Sequence, residues 1–270
     1  TSSNGARNII TFQKYERPQT LDEAWELNQK KRNRIVAGTM WMKMGTHSFG
    51  TAIDLCDLGL NQIEETDEEF IGAMATLRQM EKHPGLAAYS CGAVEAAFKD
   101  IVGVQFRNGA TLGGSLWRRM GFSDILTVFL AMDSYVELYK GGIVPLEEFA
   151  RMPYDKDVLV RLIVKKQPGA FSYQAVRKQR TDIPSLNCAA AQVAGEWRVV
   201  VGSRPARAVV LRDEQGLLAG GITEESAAAF ADYAAGAVTV SGNMWGSAEY
   251  RRALVPALTR RALLALKEVQ

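Results

Sequence analysis

Two short stretches place glycines beside hydroxyls in a pattern suited to holding an anion. Thr111-Leu112-Gly113-Gly114-Ser115 is one of them, lying a little ahead of the apolar run Ile125 to Met132. Glycine allows positive φ and lets a ligand approach the main-chain N–H groups closely. Successive N–H groups in such a turn form a concave anion site, and the Thr111 and Ser115 hydroxyls add donors. A phosphate or pyrophosphate is the natural guest. A tight turn with no ligand is the competing reading, since glycine pairs mark turns generally. The second stretch, Ile35 to Gly45, reads as a strand followed by Gly38 and Thr39 in a turn. Two such loops can grip a pyrophosphate from two sides. Asp124, just past the second loop, offers a carboxylate to a ribose or to an adenine amine. The patterns G-x-x-x-x-G-K-[ST] and G-x-G-x-x-G are both absent, which disfavours a Walker-type nucleoside triphosphatase and a Rossmann dinucleotide site.

Other chemistry-bearing residues are sparse. Cys56, Cys91 and Cys188 are far apart and show no C-x-x-C spacing. Neither a disulfide framework nor a zinc or iron–sulfur site built by this chain alone is expected. His47 and His83 read as surface or loop histidines, and no G-x-S-x-G elbow accompanies them. No catalytic acid, base or metal ligand is singled out. A net charge of +2 gives no electrostatic case for nucleic acid or a membrane surface. No apolar run approaches a membrane span. The opening TSSNGARNIITF lacks the apolar core of a signal peptide, so a cytoplasmic location is expected. With 47% apolar and 23% charged residues in 270, the composition is that of a soluble globular protein.

The elements that must position these loops form an α+β pattern. Thr20 and Glu23 fit a capping box for a helix running to about Lys30. RIVAG, TAIDL and EEFIGA read as strands. Thr76 caps a short helix that stops before Pro84, and an Ala-rich segment with helical spacing runs from Leu86 to Val102. Ser123 and Asp124 stand where an N-cap belongs ahead of ILTVFLAM. SYVELY and DVLVRLIV are strands on either side of the short helix PLEEFARMP. Pro168-Gly169 marks a turn and a domain boundary. Beyond it come strands near FSYQAVRK, AAAQVAGEWRVVVGS and RAVVLR, then helices EESAAAFADYAAGA and SAEYRRALVPALTRRALLALKEV. Pro256 is expected to kink the last helix, and Arg251, Arg252, Arg260 and Arg261 to form its solvated face. Met40, Met42 and Met44 form a stripe that reads as packing.

Five anchors in order make the chain resemble the FAD-binding medium subunit of the molybdenum hydroxylases, the flavin subunit of bacterial xanthine, nicotinate and carbon monoxide dehydrogenases. RNGATLGGS followed by SD resembles the second flavin loop, usually RN-x-A-T-x-G-G-N. IVAGTMWMKMG resembles the first, usually A-G-G-T. IGAMATLRQME, VRKQRTDIPSLNCAAA and WGSAEYRRAL resemble three further elements. The resemblance covers nearly the whole chain. It implies a two-subdomain FAD-binding fold of the PCMH type over 1–166, divided near 56/57, and a C-terminal α+β domain of a small antiparallel sheet with helices over 170–270.

The resemblance also implies one FAD held in this chain. Main-chain groups of Ile35, Val36, Ala37, Gly38, Thr39, Met40, Trp41 and Met42, and of Thr111, Gly113, Gly114 and Ser115, would hold its pyrophosphate. Ser123 and Asp124 would meet the adenosine part, Ile101 and Val102 would pack on the cofactor, and Leu159 would touch it. Trp117, just past the second glycine loop, reads either as a cover for the cofactor or as part of an interface. The [2Fe–2S] clusters and the molybdenum cofactor would belong to partner subunits, and electrons would pass from the clusters through FAD to NAD or another acceptor. Some residues depart from the family pattern. Thr39 replaces a glycine, Met40 a hydroxyl, Ser115 an asparagine and Trp245 an arginine, while Gln174 falls where some relatives carry a lysine near the flavin. A β-branched residue resists positive φ, so Thr39 reshapes the first loop or weakens it. Two alternatives follow: a flavin-free scaffold subunit of the same complex, or an independent FAD-dependent oxidoreductase.

Overall fold

The computed structural model describes residues 10–72 and 74–267, without the side chains of Met44 and Ile71. The start of the segment read for export, Ala73 in the third anchor, Met44 of the methionine stripe, and the last two residues of the final helical segment lie outside what is described.

The first unit comprises β1 (Thr11–Glu16), α1 (Leu21–Gln29), β2 (Arg34–Val36) and β3 (Ser48–Asp54). β3 lies between β1 and β2 and is parallel to both. Parallel neighbours cannot be joined by a tight hairpin and need a long crossover. Residues 37–47 are that crossover, so the first glycine loop is a consequence of the strand order. Thr20 caps α1, accepting from the Glu23 N–H at 3.2 Å. The Glu23 carboxylate accepts from the Gln19 N–H at 2.8 Å, one residue earlier than a capping box requires.

The middle unit runs through β4 (Ile63–Glu65), β5 (Glu69–Gly72), α2 (Leu77–Lys82), α3 (Pro84–Tyr89), α4 (Ala93–Phe98), α5 (Val104–Gly109), α6 (Leu112–Trp117), α7 (Asp124–Leu130), β6 (Ser134–Leu138), β7 (Gly142–Pro145), α8 (Leu146–Arg151) and β8 (Leu159–Lys165). Its five strands form an antiparallel sheet in the order β4-β5-β8-β6-β7. β4 and β7 are edge strands with mostly exposed residues. Neither shows the apolar alternation by which a strand is read, and both are additions to the sequence reading. The helical segment expected from Leu86 to Val102 is broken between α3 and α4, where Cys91 and Gly92 take φ of 52° and 79°.

The C-terminal unit has β9 (Gly169–Val176), β10 (Leu186–Val193), β11 (Glu196–Gly202), β12 (Val209–Arg212), α9 (Glu224–Ala237) and α10 (Ala248–Lys267). The strands form an antiparallel meander. Side chains alternate across a strand, and β10 uses both faces. Leu186, Cys188 and Ala190 enter a core shared with α9 and α10. Ala189, Ala191 and Val193 enter the core of the middle unit. The sheet is thus buried between its own helices and the preceding unit. α10 continues through Pro256. Arg251 corrects the expectation of a solvated arginine face: it is fully buried, whereas Arg252, Arg260 and Arg261 are exposed. No described helix is long and apolar enough to cross a membrane.

Candidate functional site

The two glycine loops meet. Gly38 and Thr39 both stand at φ 53°, and the Thr39 N–H turns back to the Ala37 carbonyl. A Cβ on Gly38 would fall inside the Gly109 carbonyl, and one on Gly109 would lie 2.8 Å from the Met40 sulfur. The first loop therefore sits directly on the end of α5. Backbone approach this close tolerates only glycine. Beyond it, a 3-10 turn at Met42–Met44 closes with the Gly45 N–H on the Met42 carbonyl at 2.9 Å.

The second loop is not the positive-φ turn expected of it. Gly113 and Gly114 open α6, with Thr111 as N-cap accepting from the Gly114 N–H at 3.2 Å. That cap commits the following residues to a helix. The Leu112 N–H reaches the Ala75 carbonyl at 2.9 Å and the Leu77 N–H reaches the Ala110 carbonyl at 2.9 Å, which fastens the loop to the start of α2. No described group accepts from the main-chain N–H of Met40, Trp41 or Gly113. Three donors from two touching loops are thus available to an anion. A Cβ at Gly114 would meet only the Thr111 hydroxyl, at 3.1 Å, so that side of α6 is open.

Beside the loops lies a cavity of about 310 Å³, bounded by the first glycine loop and by the middle and C-terminal units. Its walls include Trp41, Ile101, Val102, Ser115, Ser123 and Asp124, and also Arg118, Phe122, Arg177 and Ile183. Mostly apolar walls with a few convergent polar groups are the usual make-up of a ligand site. Trp41 meets Phe106 edge-on with centroids 4.8 Å apart and lies 5.7 Å from Phe122. Val102, a β-branched residue, is held at φ 52° with much of its surface exposed. The Ser115 hydroxyl is buried and has no hydrogen-bond partner among the described residues. A buried hydroxyl left without a partner is costly, and this one borders the cavity.

Asp124 is held from the other side of the seam. Its Oδ1 accepts from the Tyr173 hydroxyl, from Arg177 Nη2 at 2.6 Å and from Asn187 Nδ2 at 3.4 Å. All three donors come from the C-terminal unit. Oδ2 has no donor among the described residues. Burial pushes the Asp124 carboxyl up, while the Arg177 guanidinium and the Tyr173 hydroxyl pull it back. Burial, together with the neighbouring carboxylate, holds the Tyr173 phenol well above its ordinary value, so it stays a donor. Ser123 caps α7 through the Leu126 N–H at 3.0 Å. Arg107 ties α5 to α2, donating to Glu81 at 2.9 Å and to the Ile101 carbonyl at 3.1 Å. Both members of that ion pair are buried.

Of the residues singled out in the sequence, Trp41, Ile101, Val102, Ser115, Ser123 and Asp124 share the cavity wall. Gly38, Thr39, Met40, Met42, Thr111, Gly113 and Gly114 build the loops beside it. Ile35 and Val36 lie on β2, with Ala37 just beyond. Leu159 is buried on β8, and Trp117 lies 6.0 Å from Phe149 within the middle core. None of these five lines the cavity. Sequence reasoning missed Arg177, although it marked VRKQRTDIP. Gln174 lines a neighbouring cavity instead. The signal was the strand period, which puts Arg177 on the same side as Tyr173. Among the described residues no group of three His, Cys, Asp or Glu side chains is gathered for a metal.

Comparison with known proteins adds to this geometry. A family model described as the FAD binding domain in molybdopterin dehydrogenase matches residues 10–166, and one described as the CO dehydrogenase flavoprotein C-terminal domain matches residues 171–266. The nicotine 6-hydroxylase medium subunit of Paenarthrobacter nicotinovorans is 25% identical over 93% of this chain and 96% of its own. A carbon monoxide dehydrogenase chain from Hydrogenophaga pseudoflava superposes with a TM-score of 0.82 at 20% identity, covering 94% of this chain and 97% of that one. A chain of quinoline 2-oxidoreductase from Pseudomonas putida 86 gives a TM-score of 0.79 at 19% identity, covering 94% and 96%.

Proposed function

Since the chain belongs to the family of FAD-binding medium subunits of molybdenum hydroxylases, we propose that it serves as the electron-transfer subunit of a cytoplasmic, xanthine dehydrogenase-like complex. The proposed partners are an iron–sulfur subunit with [2Fe–2S] clusters and a subunit carrying the molybdenum cofactor. NAD or another small acceptor completes the set. FAD, when bound, supplies reversible one- and two-electron redox chemistry.

The residues of this chain position that group and fit it. Met40, Trp41 and Gly113 offer main-chain N–H donors to a pyrophosphate, and the Ser115 hydroxyl offers a further one. Arg118 borders the cavity without an ion pair among the described residues and adds a positive charge. Trp41, Ile101, Val102 and Phe122 supply apolar and aromatic walls for a ring system and keep water from it. Asp124 Oδ2 is left to accept from a ligand donor. The observation that carries the reading is the unpartnered Ser115 hydroxyl on the wall of a cavity beside two touching glycine loops.

The test is an absorption spectrum of the purified chain, with chromatography of whatever heat releases from it. Released FAD supports the reading, and replacing Gly114 with tryptophan then abolishes the flavin spectrum. A chain that is colourless and stays so after incubation with FAD makes it a scaffold subunit of the same complex.

A further inference from the structure

A second cavity, of about 340 Å³, lies on the far side of Arg177, which lines both. It is formed by the end of α4 and by the end of β9 with the turn that follows. Four cations border it, Lys99, Arg177, Lys178 and Arg180, against one carboxylate, Asp100. Two of these charges are already spent: Arg177 holds Asp124 at 2.6 Å and Arg180 holds Asp100 at 2.8 Å. The other two are not. Lys178 donates to the Met244 carbonyl at 2.9 Å, which leaves its charge uncompensated. Lys99 forms no ion pair among the described residues. The carboxylate of Glu95, on the helix that Lys99 ends, is taken by Lys82 at 2.9 Å. The carboxamides of Gln174 and Gln179, also on the wall, have no protein partner among the described residues.

Isolated surface lysines are ordinary and need no explanation. Two lysines whose charges have no counter-ion and two carboxamides without a protein partner on the wall of one concavity are a different matter, because like charges repel and a concave wall concentrates their field. A ligand with two or more negative charges on adjacent oxygens removes that repulsion and uses every free donor. We propose that this cleft binds a diphosphate-bearing ligand, with Lys99 and Lys178 on its phosphates and Gln174 and Gln179 on its remaining polar groups. That such a ligand is a redox partner of the flavin rests on the function proposed above, since Arg177 lines both cavities. The binding itself does not rest on it.

The experiment is isothermal titration of the FAD-loaded full chain with inorganic pyrophosphate and, separately, with ADP, in wild type and in a Lys99→Gln/Lys178→Gln variant. Both lysines are exposed, so the variant keeps the fold, which its thermal melt verifies. The expected result is binding that weakens with added salt and falls about tenfold or more in the variant, with flavin content unchanged. Tighter binding of ADP identifies a nucleotide as the ligand, and equal binding identifies the diphosphate alone. No binding to wild type, equal binding to the variant, or expulsion of FAD by pyrophosphate overturns the proposal, the last because the anion is then competing for the flavin loops. A chain that takes up no FAD defeats the functional reading only; lysine-dependent pyrophosphate binding still decides this one.

Discussion

Thr39 is a β-branched residue in the left-handed region, at φ 53°. That conformation costs an L-residue roughly 1–2 kcal/mol, which glycine escapes at some loss of chain entropy. Thr39→Gly is therefore expected to raise the unfolding free energy by about 1 kcal/mol in urea titration, and to bind FAD at least as tightly by flavin fluorescence. A variant no more stable than wild type would mean that the loop carries no strain. Gly38→Ala has the opposite effect. Its methyl group meets the Gly109 carbonyl, which is backbone and cannot rotate away. The two loops must part, so FAD retention is lost while the far C-terminal helices keep their circular dichroism. Much of this scale was legible, because glycine and hydroxyl chemistry is local and Thr39 could be flagged on its own. The partners of Asp124 were not. They lie 49, 53 and 63 residues along the chain, and no spacing rule reaches that far.

Elements with strong caps or clean periodicity were legible: α1 from Thr20, α2 from Thr76, α7 from Ser123 and the meander from its apolar runs. The edge strands β4 and β7 were not, since they bury almost nothing on either face. Arg251 shows a subtler failure. Within α10 the buried positions run Arg251, Val255, Leu258, Thr259, Ala262, Leu263 and Leu266. The arginine thus lies on the apolar stripe, and weighing helical period above charge would have found it. Its guanidinium ties the helix to three stretches of chain that precede it. It donates to the carbonyls of Ser185 at 2.7 Å, Ser203 at 3.1 Å, Ser241 at 2.8 Å and Gly246 at 2.6 Å, and to Asn243 Oδ1 at 2.7 Å. Arg251→Met keeps the bulk but leaves these acceptors unpaired, each at a cost of about 1 kcal/mol or more. The expected loss is at least about 3 kcal/mol in chemical denaturation. A loss below about 1 kcal/mol would show that water satisfies those carbonyls instead.

The whole molecule is held at the seam where the site lies. β10 is buried on both faces, so the C-terminal unit cannot lift away without exposing Ala189, Ala191 and Val193. The same strand puts Cys188 into the opposite core, where burial pushes the thiol from an ordinary 9.0 up to about 12. A thiol whose pKa is raised by folding stays protonated in the native chain while the unfolded chain ionises. Its contribution is fully present below pH 9.0 and is lost as pH climbs through about 12. The fold should lose up to roughly 1.4 kcal/mol per pH unit across that window through this one group. Urea titrations at about pH 8, 9 and 10 separate this from other alkaline effects when wild type is compared with Cys188→Ala, which has nothing to ionise. The difference in stability between the two should shrink steadily above pH 9 in favour of the alanine variant. Thiol labelling gives an independent reading: Cys56 and Cys91 are exposed and react in the native chain, whereas Cys188 is buried and reacts only when this unit opens. If Cys188 reacts as fast as the other two, the C-terminal sheet is not sealed between its two cores, and the donors that Tyr173 and Arg177 give to Asp124 would not be fixed.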